Sequence, residues 1–376
     1  MPPATPSLSL LDLGWDDSWA AALAAQSDGS LTPGRVSRID RGISTVLIAA
    51  GPVRVAAVAD LQLAVGDWVT LTLDPTTGAL DPTTGALDPT TGDWVLAGIL
   101  PRRCAFRRVT DGPAARQQVV AANIDTVFLV DAIDGQLSVR HLERYVVLAL
   151  QSGAQPVIVV TKSDLASPEQ VSEHLAQVAQ AASGAPVHVV SAATDQGVDA
   201  LAPYLGPGRT VALLGLSGAG KSTLVNLLVG AQVLATGAVR SDGKGRHTTT
   251  YRELVAIPGG GLLIDTPGMR ALSVATATEG VALVFADIEE LETRCRFPDC
   301  SHTTEAGCAV MEAVATGDLS AERLASWRQL RSETPPEDPA AARVRVAVRK
   351  RDKASAKATR AQSRATQRKL ALPPPT

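Results

Sequence analysis

Four short motifs punctuate the middle of this chain of 376 residues, and each directly follows an apolar run of strand type: TKSD at 161–164, Ser191-Ala192, GLSGAGKST at 215–223 and DTPG at 265–268. In an α/β sheet, loops at the carboxyl ends of strands are where ligands bind. The constraint is severe. Any fold that uses all four must bring two distant stretches, centred on Asp164 and Lys221, to one cavity.

Segment 215–222 matches G-x-x-x-x-G-K-[ST] at every fixed position. A strand-like run at 209–214 precedes it, and 223–229 carries apolar residues on a helical repeat, with Gly230 where a helix would stop. Gly215, Gly218 and Gly220, with Leu216, Ser217 and Ala219 between them, let the backbone curl so that several N–H groups point at phosphate oxygens. The helix N-terminus adds partial positive charge. Lys221 supplies a full charge to terminal phosphates, the Ser222 hydroxyl can ligate Mg²⁺, and Thr223 closes the motif. A glycine-rich turn with a chance lysine is the competing explanation; the flanking strand and helix weigh against it.

DTPG places Asp265 at the end of the strand 262–264, where a carboxylate supporting Mg²⁺ belongs, and Gly268 can donate its N–H to a γ-phosphate. Alone it is also a plain strand-to-turn sequence, and it gains weight from the phosphate loop. In TKSD, Asp164 can accept hydrogen bonds from the guanine N1–H and exocyclic amine, a donor pair that adenine lacks. Lys162, beside Ser163, is expected across the ribose and the phosphate loop. The usual asparagine of this motif is Thr161 here, which is expected to forgo a contact to the base and weaken affinity. Ser191-Ala192 suits a backbone N–H cap on the guanine oxygen.

Three of the four cysteines fall with one histidine inside 295–308: Cys295, Cys300, His302 and Cys308. A Cys₃His set at this spacing suits tetrahedral zinc in a closed structural site. Disulfides and free or redox cysteines are the alternatives. The absence of a secretory signal and the nucleotide motifs argue against disulfides. Cys104 stands apart and reads as a small buried residue.

An ordinary GTPase carries its phosphate loop first and its guanine-reading motifs last; here the order is reversed, as in a circularly permuted domain. That order, with VGDWV at 65–69, GRHTTT at 245–250 and the Cys/His set, resembles the small-subunit-dependent bacterial GTPases of the RsgA/YjeQ family. The resemblance spans nearly the whole chain. It implies a multidomain protein with an N-terminal OB-type β-barrel, a central permuted α/β P-loop GTPase domain and a C-terminal small α-rich zinc domain. It also implies GTP hydrolysis to GDP and phosphate, stimulated by the small (30S) ribosomal subunit during late maturation. The implied partners are GTP/GDP, the subunit and its rRNA, with no membrane partner, for a cytoplasmic monomer using one zinc ion and Mg²⁺ with GTP. Expected boundaries are an arm at 1–30, the barrel at 31–110, the GTPase domain at 111–275, the zinc domain at 276–340 and a tail at 341–376.

Composition agrees. With 45% hydrophobic residues the chain can build two or three cores, and no apolar run approaches the ~18–20 residues that span a bilayer. A formal charge of −3 hides an asymmetry, because 343–369 holds eleven Lys/Arg and one acidic residue. Arg349, Lys353, Lys357, Arg360, Arg364 and Arg368 recur every three or four residues and would form one basic stripe on a helix, suited to a phosphate backbone. The alternative is a solvated, disordered tail.

From 34 to 108, short Val/Ile/Leu segments alternate with glycine and aspartate turns, which predicts a five-stranded barrel. Its arginines lie at the two ends, Arg35, Arg38, Arg41 and Arg54 early and Arg102, Arg103, Arg107 and Arg108 late; they either meet in an RNA-facing patch or scatter in solvent. DPTTGAL at 74–80 and 81–87, then DPTTG at 88–92, reads as an expanded hairpin loop between Leu73 and Trp94. A short Ala-rich helix is expected from about Asp16.

Hydrolysis needs a water held in line with the γ-phosphate. Met269 follows DTPG where many GTPases place a water-orienting glutamine, so slow intrinsic turnover is expected. His247 is the candidate substitute, in a loop where Thr248 or Thr249 could complete Mg²⁺ coordination; the alternative is a histidine that contacts RNA or solvent. Chain continuity from DTPG through 269–273 and the acidic stretch 285–294 to the zinc site offers a route from nucleotide state to partner affinity. Two other functions fit less well: an RNA-binding scaffold that binds GTP and hardly hydrolyses it, and a P-loop ATPase or kinase with a chance TKSD.

Overall fold

A computed structural model of the chain describes residues 8–26, 29–40, 42–56, 58, 61–74, 76–77, 92–109, 117–135, 137–230, 253–265 and 277–334. His247, Thr248, Thr249, Gly268 and Met269, most of the DPTTGAL repeats, Arg41 and the basic tail lie outside them.

Helix α1 (Asp17–Ala24) is capped by the Asp16 carboxylate, which accepts from the Ser18 and Trp19 N–H groups. Five strands follow: β1 (Thr32–Asp40), β2 (Ile43–Ile48), β3 (Gly51–Ala56), β4 (Trp68–Asp74) and β5 (Asp93–Ile99). They pair in the order β3-β2-β1-β4-β5, all antiparallel. Val36, Val46, Val55, Val69, Leu71 and Leu96 point inward to one apolar cluster, following the period-two alternation of a half-buried strand. Leu73 pairs with Trp94 and Asp74 with Asp93, so the repeat-bearing segment leaves and rejoins the hairpin at one place. The hairpin β6 (Ala105–Val109) and β7 (Gln117–Ala122) comes next and straddles the 110/111 boundary.

The central segment adds β8 (Thr126–Ala132), α2 (Val139–Ser152), β9 (Gln155–Thr161), α3 (Pro168–Ala181), β10 (Val187–Val189), β11 (Thr210–Leu214), α4 (Lys221–Val229), β12 (Glu253–Ala256) and β13 (Leu262–Asp265). Spatial order is β10-β9-β8-β11-β13-β12, and every pair is parallel except β12 with β13. Strands β8 and β9 are buried on both faces, which is why they read as unbroken apolar runs. Alternate residues serve opposite layers. Val127 and Leu129 pack with Leu142 and Val146 of α2, while Phe128 and Val130 pack with Leu224 of α4.

Strand β1 continues this sheet by pairing Arg38 with Glu253 of β12. A second joint is built on VGDWV. Asp67 is fully buried, receives the Ala64 N–H at 2.7 Å, and is bridged by Arg102 at 2.6 and 2.7 Å. Gly66 has φ +90°, and a Cβ there would meet the Ala122 carbonyl oxygen at 2.2 Å, so only glycine permits this close approach.

The two ends of segment 34–108 meet, but Arg35 faces inward and Arg38, Arg102 and Arg103 bind acids. Arg35 is 2% exposed and donates to the carbonyls of Leu13, Gly66 and Asn123, with burial pushing its pKa down to about 10. Arg38 pairs with Asp40, Arg102 with Asp67, Arg103 with Asp16, and Arg108 bonds to Gln118. Arg54 and Arg107 are exposed, so the described arginines divide between interior, ion-paired and exposed positions and form no continuous basic patch.

Four helices complete the described chain: α5 (Thr278–Val284), α6 (Ala286–Glu292), α7 (Ala309–Thr316) and α8 (Ala321–Glu333). Helix α8 is tied to α2 through the buried Glu143 carboxylate, which accepts from Ser326 Oγ and from Arg323 at 3.3 Å. Arg323 also bridges Asp287 at 2.7 and 2.9 Å and lies over the Phe285 ring. No helix among the described residues is long and apolar enough to cross a membrane.

Candidate functional site

The phosphate loop leaves β11 at Gly215, packed so tightly against β8 that a Cβ would lie 2.2 Å from the Val130 carbonyl oxygen. It ends at Gly220, whose φ of +84° turns the backbone into α4. Lys221 is the first residue of that helix. Its ammonium reaches back to the carbonyls of Gly215 at 2.9 Å and Leu216 at 2.5 Å, so a full charge sits over the curled backbone. The N-terminal end of α4 and this ammonium together suit an anion.

TKSD comes to the same edge. Strands β9 and β11 flank β8, so the loops after them emerge side by side. Thr161 is 2% exposed, and its hydroxyl lies 2.8 Å from the Ala219 carbonyl of the phosphate loop and 3.2 Å from that of Asp131. The threonine expected only to forgo a base contact therefore ties the two motifs together. Lys162 has φ +61°, and its ammonium pairs with the Asp134 carboxylate at 2.9 and 3.0 Å.

Asp164 is held from the neighbouring loop. The fully buried Ser191 donates from Oγ to Asp164 Oδ1 at 2.5 Å and accepts the N–H groups of Ala193 and Thr194 at 3.3 and 3.2 Å. Ser163 N–H bonds to the Val190 carbonyl at 3.3 Å, and Ala192 follows Ser191 at this rim. Asp164, Ser191, Thr161 and Lys221 thus line a single edge of the sheet. The backbone of Asp265 ends β13 next to β11, in the register Ala212 with Ile264.

Three contacts escaped the sequence reading. Asp134 partners Lys162, Asp131 bonds His174 at 2.8 Å with burial raising its carboxyl, and Glu292 bonds His302. The first two have a weak signal, since Asp131 and Asp134 stand at the carboxyl end of a parallel strand, where functional groups concentrate.

At the other end, Cys295, Cys300, His302 and Cys308 offer ligand atoms within 4.8 Å of one another and could hold a metal ion. His302 Nδ1 lies 3.5 Å from the sulfurs of Cys295 and Cys308, and those sulfurs are 3.9 Å apart. The other ring nitrogen, Nε2, sits 2.9 Å from Glu292, which fixes Nδ1 as the ligating atom. Burial opposes ionisation of Cys308, but the Met311 N–H and His302 bring its thiol down to about 7.

Residues 99–275 match the family model for the RsgA GTPase. The chain is 43% identical over 333 residues to the small ribosomal subunit biogenesis GTPase RsgA of Streptomyces coelicolor, covering 86% of each protein. This chain belongs to the RsgA family. The RsgA of Opitutus terrae is 42% identical over 337 residues, covering 87% of this chain and 90% of the relative. Among solved structures, YjeQ from Thermotoga maritima aligns with a TM-score of 0.57 and 25% identity over 81% of this chain and 98% of its own. YloQ, described as a circularly permuted GTPase, aligns at TM-score 0.54 and 21% identity over 83% and 99%, a likeness of fold. Like other members of the RsgA family, the chain is a GTP hydrolase with its motifs in permuted order.

Proposed function

We propose that this GTPase acts in biogenesis of the small ribosomal subunit, binding rRNA and hydrolysing GTP with stimulation by that subunit. The reading is supported by relatives named for that process and by one observation on the site, the 2.8 Å bond from Thr161 to Ala219 that joins the guanine-reading and phosphate-binding loops.

In this reading Asp164, steadied by Ser191, accepts the two guanine donors, and Ser191-Ala192 closes over the base. Gly215 to Thr223 cradles the phosphates, Lys221 exchanges its loop carbonyls for terminal phosphate oxygens, and Ser222 turns its hydroxyl to Mg²⁺. Asp265 and Gly268 are assigned to the γ-phosphate side, and His247, Thr248 and Thr249 to water and Mg²⁺. Mg²⁺, held by Ser222 and one of Thr248 or Thr249, would supply neutralisation of phosphate charge. The Cys₃His set we read as a zinc site: Zn–S and Zn–N bonds of about 2.3 and 2.0–2.1 Å at tetrahedral angles imply donor separations of about 3.8 and 3.6 Å, close to those found. The ring of β1 to β5 we read as an OB-type barrel, followed by the GTPase and zinc domains and a basic tail for phosphate contacts, in a cytoplasmic monomer.

The test is the phosphate-release rate with and without purified small subunits. Wild type should accelerate with subunits and Lys221→Ala should not. Equal wild-type rates in both conditions would leave a GTP-binding scaffold as the better account.

A further inference from the structure

Phe297 is the one exposed aromatic among the described residues. Of the four phenylalanines, Phe106, Phe128 and Phe285 are at most 2% exposed, whereas Phe297 is 45% exposed. It stands on the turn between Cys295 and Cys300, where the Cys300 N–H bonds to the Phe297 carbonyl at 3.3 Å and the Arg296 N–H to the Gly307 carbonyl at 3.0 Å. The stem of Arg296 lies on Gly307, where a Cβ would come within 3.1 Å of the Arg296 Cβ. That seat directs the guanidinium over the Phe297 ring, 5.4 Å from its centroid. Arg294, also exposed, stands on the far side of Cys295.

The surroundings decide what such a ring can meet. Thr293, Asp299, Ser301 and Thr303 are exposed and polar, and Phe297 is the one large exposed hydrophobic side chain in 284–334. A protein partner would need a contiguous apolar core at its interface. Glu305 is turned onto the Ser301 and Thr303 N–H groups at 2.9 Å each, which spends its charge locally. An isolated π-face beside a guanidinium group, on a turn that carries two of the Cys₃His residues, suits an unpaired nucleobase.

We propose that Phe297 and Arg296 form a stacking site for an unpaired rRNA nucleobase. This rests on the reading of the chain as a small-subunit factor. The experiment measures binding of the full-length protein to purified small subunits and to a short single-stranded RNA of mixed sequence, for wild type, Phe297→Leu and Phe297→Trp. Leucine keeps apolar bulk and removes the π-face, so Phe297→Leu should weaken both affinities about tenfold, while Phe297→Trp retains them. Metal content and GDP affinity should be unchanged in both variants. Wild-type affinity in Phe297→Leu would overturn the proposal, as would equal losses in the leucine and tryptophan variants. Wild-type protein that fails to bind subunits would overturn the functional reading and this inference together; wild type that binds beside an unimpaired leucine variant overturns this inference alone.

Discussion

Replacing Thr161 by valine tests whether the two halves of the nucleotide site are mechanically joined. Valine keeps the shape of threonine and removes only the hydroxyl that reaches Ala219 O at 2.8 Å and Asp131 O at 3.2 Å. Both Thr161 and Ala219 are buried, at 2% and 4% exposure, so water cannot take the place of the lost donor. An unsatisfied buried carbonyl costs about 1–3 kcal/mol. The bond lies within the folded chain itself, so most of that cost should appear as lost stability in denaturant titrations. The remainder should appear in binding, because a phosphate loop no longer held by its hinge must be ordered by the ligand. We expect GDP affinity to fall by up to about tenfold, which is ~1.4 kcal/mol. Thr161→Ser restores the hydroxyl and should recover most of both losses. Titration with a fluorescent GDP analogue gives the affinity. A valine variant with wild-type stability and affinity, or a serine variant as impaired as valine, would refute the argument.

Further outcomes follow from other joints. Arg35→Met strands the carbonyls of Leu13 and Asn123, while that of Gly66 keeps the Asn123 Nδ2 donor at 3.0 Å, and should cost about 1–3 kcal/mol of stability per stranded carbonyl; hydrogen exchange should rise around Asn123. Arg323→Met leaves Glu143 buried beside Ser326 alone and should destabilise more than Arg323→Met combined with Glu143→Gln, measured by urea unfolding. Burial raises the Glu143 carboxyl; its contribution is therefore present below the unfolded-state pKa and lost as pH rises through the folded value, so wild type should gain stability relative to Glu143→Gln on acidification. Cys300→Ser should abolish metal binding, read by elemental analysis, and loosen α6 and α7, read by proteolysis, because the set cross-links a segment with little core of its own.

Much of the site was legible because its chemistry is local. A phosphate loop needs its glycines and lysine at fixed spacing, and a metal centre needs its donors close in sequence, so 215–223 and 295–308 announce themselves. The parallel strands were legible for a related reason: burial on both faces demands continuous apolar runs, and β8 and β9 have them. Arginines carried no such signal. Arg35, read as a candidate for an exposed patch, is an interior donor to three carbonyls, because whether a guanidinium faces water depends on which backbone it meets.

The order of TKSD, the phosphate loop and DTPG along the chain determined, before any coordinates, that the domain is permuted and which base and phosphates its loops suit. Only the tertiary structure decided who holds whom: that Thr161 grips Ala219, that Ser191 steadies Asp164, that Lys162 turns to Asp134, and that Glu143 anchors α8. The physical reason is range. Motif spacing encodes what neighbours in sequence can do, whereas these bonds join side chains to partners whose proximity exists only after the sheet has assembled and its core has excluded water.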